Sequence, residues 1–120
     1  MTSDGNIQLD QRMLDQFRML ERAGRPGMLA QMVGMFLRGS TDQIAAIVAA
    51  SKAGDAEKLR VTSHTMKSNA ASFGATALAD VCRDIEYAAR NGRGTLTPQA
   101  IADLSTLHQC TCEALQREIV

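Results

Sequence analysis

The sequence predicts an all-α domain: an antiparallel up-down-up-down four-helix bundle with a short extra N-terminal helix. Three observations predict it. Apolar residues recur at helical spacing in five stretches, and no stretch alternates as a strand would. Gly, Pro and cap-forming residues punctuate those stretches, leaving only short loops, which make consecutive helices antiparallel neighbours. Aromatics are 3% of the residues and Trp is absent, so the core must be Leu, Ile, Val, Met and Ala, which favours packed helices over a β-sandwich.

Residues 1–8 read as a flexible N-terminus, and 9–120 as a single bundle domain. Asp10 caps a short helix running to about Ala23, with Met13, Leu14 and Phe17 on one side. Gly24-Arg25-Pro26-Gly27 stops it. A long apolar helix follows from about Met28 to Lys52, with Met32, Phe36, Ile44, Ile47 and Val48 as core and a bend expected at Gly39-Ser40. Gly54-Asp55 supplies a turn and an N-cap for a helix from about Ala56 to Phe73, which Gly74 ends. The next helix runs from about Thr76 to Asn91, its apolar stripe being Leu78, Val81, Cys82, Ile85 and Ala89. After Gly92-Arg93-Gly94, Thr97-Pro98 is a cap followed by a first-turn proline. The last helix carries Ile101, Leu104, Leu107, Thr111, Leu115 and Ile119.

Composition removes several function classes. Thirteen basic and thirteen acidic residues cancel, so the overall charge asks for neither nucleic acid nor an anionic membrane. No apolar run approaches the roughly 20 residues needed to span a bilayer. The start, MTSDGNIQLD, has no apolar signal-peptide core. Three Cys form no framework and read as reduced thiols, which places the expected location in the cytoplasm.

Helical geometry separates the two histidines. At about 100° per residue, Leu59, Thr62, Met66, Ala70 and Phe73 share one face of the third long stretch. His64 lies roughly 140° from the middle of that face, with Glu57, Arg60, Lys67, Ser68 and Ala71 on its side. It should face solvent. His108 falls instead in the core-facing series Ile101, Leu104, His108, Thr111 and Leu115, and reads as a half-buried ring with a hydrogen-bond partner. Arg60 and Lys67 flank His64 one turn away, where cations can neutralise a phosphoryl group. Ser68 is small and leaves room for another protein to approach. The following helix returns antiparallel across Gly74 and brings Glu86 and Arg90, at the edge of its apolar stripe, toward the same surface.

The segment resembles the signature of the histidine-containing phosphotransfer (HPt) domain. That signature is a His, a Lys three residues on, small residues, Gly-Ala at the next turn, and L-x-x-x-C-x-x-(L/I)-E on the next helix. Here it reads His64, Lys67, Ser68, Gly74-Ala75, Leu78, Cys82, Ile85 and Glu86, about a quarter of the chain. The resemblance implies that His64 is the phosphoacceptor, that Lys67 is the cation near the phosphoryl group and that Glu86 contacts the imidazole. It departs from the family at Ser68, where glycine is usual, and at Asn69-Ala70, where Ser-Ser is frequent. Those changes bear on how closely a partner approaches.

The expected function is a shuttle in a two-component phosphorelay. A receiver-domain aspartyl phosphate would donate to His64, and another receiver would accept. Nε2 would attack, Glu86 would take a hydrogen bond from Nδ1–H, and Lys67 would offset charge. Docking falls to Arg60, Val61, Ser68, Ala71 and Arg90. The expected partners are response-regulator receivers and a hybrid sensor kinase. No cofactor is expected on this chain: Asp80, Asp84 and Glu57 read as solvated charges, and Mg²⁺ would belong to the receiver. The chain would be a phosphoryl carrier with no ATP-binding or kinase domain of its own. The rival reading is a non-phosphorylated, HPt-like helical adaptor that binds receiver or kinase domains. A metal module at His108-Gln109-Cys110-Thr111-Cys112 fails because Cys110 points away from the face shared by His108 and Cys112. A Cys/His hydrolase fails because Cys82 reads as core.

Overall fold

The computed structural model describes residues 7–119; the first six residues of the expected flexible stretch, and Val120, lie outside the described residues. Among the described residues there are five helices and no strand. They are α1 (Gln11–Arg22), α2 (Met28–Ala53), α3 (Ala56–Ser72), α4 (Thr76–Arg90) and α5 (Pro98–Arg117). Each begins or ends within a residue or two of its expected bounds. The caps explain this. Asp10, Asp55 and Thr97 accept from the amides of Arg12, Lys58 and Ala100 at 3.1, 3.0 and 3.0 Å, so donors that no helix carbonyl can reach are satisfied. Pro98 begins α5, where its missing N–H costs nothing.

α3 packs most extensively on α4 and next on α2, while α5 closes against both α2 and α4. α1 lies on α2 and α3. The core between them holds Val33, Phe36, Ile47, Leu59, Met66, Leu78, Cys82, Leu104 and Leu115, all nearly sealed from solvent. Burying each aliphatic side chain of this size contributes about 1.5–3 kcal/mol. On α2 the expected Phe36 and Ile47 are buried, whereas Met32, Ile44 and Val48 are half-buried and Leu29 and Val33 carry more of the seal. On α3, Thr62 is half-buried and Ser63 takes the fully buried place. Its hydroxyl can point inward because it donates to the Leu59 carbonyl at 2.7 Å. Ile119 falls beyond the end of α5 and is exposed, because the helix stops at Arg117 and the periodicity no longer governs.

Two close approaches fix the ends. Gly74, at φ +75°, lies in the α3–α4 turn, and a Cβ there would stand 2.5 Å from the Asp10 carbonyl oxygen. The Asp10 amide donates to the Gly74 carbonyl at 2.8 Å, so the cap of α1 is pinned to the turn. Phe73 stacks on Phe17 and leans on Phe36 (centroids 5.3 and 5.0 Å apart), sealing the same end. At the other end Gly94 sits against the Gly54 carbonyl, and the Leu96 amide donates to Ser51 Oγ at 2.8 Å. The α2–α3 turn and the α4–α5 loop therefore meet. The α3–α4 hairpin that carries His64 is anchored at both ends.

Candidate functional site

His64 projects from the middle of α3, with 56% of its side chain exposed. Leu59, Met66 and Ala70 turn the opposite side of the helix into the core, as the apolar periodicity requires. On α4, Leu78, Cys82, Ile85 and Ala89 face the core, and that registration swings Glu86 toward α3. Glu86 does not lie at the exposed edge of the stripe; its side chain is only 4% exposed.

A buried carboxylate needs partners, since unpaired burial of a charge is expensive. Glu86 has three. His64 Nδ1 is 2.8 Å from Oε2, Lys67 Nζ donates to Oε1 at 2.7 Å, and an Arg90 guanidinium nitrogen donates to Oε2 at 3.0 Å. The hydrogen bond from Lys67, and then that from His64, hold the carboxyl below its ordinary range against the opposing effect of burial. An ionised carboxylate can only accept, so Nδ1 of His64 carries the proton. When the ring carries that one proton, its lone pair stands on Nε2.

The structure thus brings together His64, Lys67, Glu86 and Arg90. It leaves Arg60 outside that group: its guanidinium forms a forked pair with Glu57 at 3.0 and 2.6 Å. Val61, Ser68 and Ala71 are exposed on α3 beside His64. Lys67 reaches inward to Glu86, so its ammonium is engaged before any ligand arrives. Asp80 and Asp84 are exposed and pair with Arg83. Among the described residues no group of three or more His, Cys, Asp or Glu could hold a metal ion.

What the linear pattern did not reveal is that one carboxylate ties three cationic or donor groups together. The Glu86–Arg90 contact has a local signal, four residues along one helix. The contacts to His64 and Lys67 span 22 and 19 residues and depend on the α3–α4 crossing.

The other histidine behaves differently. His108 is half-buried, with Nε2 2.8 Å from Ser40 Oγ and 3.4 Å from Cys112 Sγ. Burial pushes its pKa below the ordinary value, so it stays neutral. Cys82 lies in the core, where burial pushes its thiol up to about 12 against the opposing pull of Lys67; it is no thiolate nucleophile near neutrality.

The Hpt domain family matches residues 31–118, which include the whole cluster. The crystal structure of histidine-containing phosphotransfer protein B (HptB) from Pseudomonas aeruginosa PAO1 is similar, with a TM-score of 0.78 and 27% identity over 92% of this chain and 92% of that one. A search of curated proteins finds no match. No helix among the described residues is long and apolar enough to cross a membrane. With its family match extending across the imidazole, its carboxylate and their helices, the chain belongs to the Hpt domain family and is a histidine phosphotransfer protein of phosphorelay signalling.

Proposed function

We propose that His64 is the residue that carries the phosphoryl group. The observation behind this is the division of its ring: Nδ1 is committed to buried Glu86 at 2.8 Å, while more than half of the side chain is exposed. Nε2 attacks phosphorus of an aspartyl phosphate on a receiver domain. The P–O bond to the aspartate breaks as the N–P bond forms, and a second receiver aspartate reverses the step. Such transfers depend on in-line positioning and charge neutralisation more than on covalent assistance. Lys67, one turn from His64, is placed to turn from Glu86 toward the incoming phosphoryl oxygens.

The receiver docks on the face around His64, formed by Arg60, Val61, Ser68, Ala71 and Arg90. Val61, 47% exposed, gives that face an apolar point, and the exposed Arg90 guanidinium gives it positive charge. Ser68 sets how closely the partner approaches. Mg²⁺ is held by the receiver and not by this chain. A hybrid sensor kinase supplies the relay, nucleic acid plays no part, and the site of action is the cytoplasm. The whole of 9–120 acts as one domain. Its helices α2 to α5 run up-down-up-down, with α1 as the extra helix; the meeting of the α2–α3 turn with the α4–α5 loop supports that order.

Incubating the protein with a phosphorylated cognate receiver tests the assignment. The wild type takes up label and His64→Gln does not. Label that survives the substitution overturns His64 as acceptor; a wild type that binds receiver but never takes label points to the adaptor.

A further inference from the structure

The buried carboxylate has a consequence for the phosphorylated state. Attack through Nε2 by a ring that keeps its Nδ1 proton yields an N-phosphoimidazolium, one positive charge richer than the starting imidazole. Its fate depends on that proton. If Nδ1–H stays, an acceptor carboxylate can attack phosphorus, the N–P electron pair returns to Nε2, and neutral imidazole departs. If Nδ1 loses the proton, the departing group is an imidazolate anion, a far poorer leaving group.

The groups around the ring are arranged to decide this. Glu86 of α4 accepts at Nδ1 from a place with 4% side-chain exposure, so solvent screens its charge little. Lys67 of α3 and Arg90 of α4 hold it ionised from the remaining lone pairs. Arg60 and Glu57 of α3 lie on the same side but neutralise each other. We propose that Glu86, paired with Arg90 along α4, keeps the proton on Nδ1 after phosphorylation, so that phospho-His64 is held ready to donate. This rests on His64 being the acceptor. It makes the protein a relay that passes its phosphoryl group on promptly, rather than a store.

Glu86→Gln separates charge from shape, because the amide keeps the length and an acceptor oxygen for Nδ1–H but not the negative charge. Both proteins are loaded from a phosphorylated receiver, or with phosphoramidate if the variant loads slowly. Nitrogen NMR then reads the protonation of Nδ1, and onward transfer to a second receiver is timed from mildly acidic to mildly basic pH. The expected wild type keeps Nδ1–H and transfers evenly across the range. The variant loses the proton on the basic side, and its transfer falls by on the order of tenfold or more there, recovering in acid. Equal protonation in the two phosphoproteins, or a rate loss in the variant that does not change with pH, overturns the role of the charge while leaving His64 as acceptor. A wild type that takes no label at His64 removes the acceptor assignment and this inference with it.

Discussion

At the scale of single residues, the site is a contest over one carboxylate. Glu86 can be buried because Lys67, Arg90 and His64 share its oxygens, and the same sharing sets the tautomer of the ring. Lys67 therefore has two duties: it holds Glu86 in the resting protein, and in our reading it meets the phosphoryl group during transfer. Lys67→Met keeps most of the side-chain volume and removes the charge. The expected result is a normal helical spectrum with transfer slowed by on the order of tenfold to a hundredfold, the worth of a charge-assisted hydrogen bond. Transfer at the wild-type rate would remove Lys67 from the mechanism. The position of His64 on a polar face was legible from periodicity, because one histidine among apolar residues at helical spacing has only one side to occupy. The burial of Glu86 was not, because its edge-of-stripe position is turned inward by the neighbouring helix.

At the scale of elements, α1 is joined to the hairpin that carries His64 through the α3–α4 turn. Gly74 makes the junction possible: its φ of +75° and the absence of a side chain let the Asp10 backbone come within hydrogen-bond range. The turn and its glycine were readable in the sequence. Its closeness to Asp10, 64 positions away, was not, since nothing local signals which element lies over a turn. Gly74→Ala adds both left-handed strain and a collision with rigid backbone, and is expected to cost more than about 2 kcal/mol. Denaturant unfolding measures it: a midpoint equal to the wild type would mean that α1 moves aside freely. The bounds of α5 show the opposite lesson. Its apolar series runs on to Ile119, yet the helix stops at Arg117, because spacing alone does not report where hydrogen bonding ends.

At the scale of the whole molecule, two groups on different helices make stability depend on pH in the same direction. His108 titrates below its ordinary value of 6.5 in the folded protein, so as pH falls through 6.5 the unfolded chain takes up a proton that the folded one refuses. Glu86 titrates below its ordinary 4.5, so the stability it contributes above that value is lost as pH falls further. Urea midpoints should therefore decline in two stages on acidification, the first beginning near 6.5 and the second below 4.5. His108→Gln should flatten the first stage and leave the second. A midpoint unchanged down to 4.5 in the wild type would show that the Ser40–His108 pair opens without cost.

The sequence by itself determined the helical class, the caps, the turns and the placing of His64 on an exposed face and His108 on a half-buried one, because these depend on short-range geometry: the pitch of a helix, the φ of glycine and the reach of a capping side chain. Only the tertiary structure decided that Glu86 is buried and that Lys67 reaches inward to it. Those outcomes depend on how α4 is rotated against α3, and that rotation is settled by packing Leu78, Cys82, Ile85 and Ala89 into the common core.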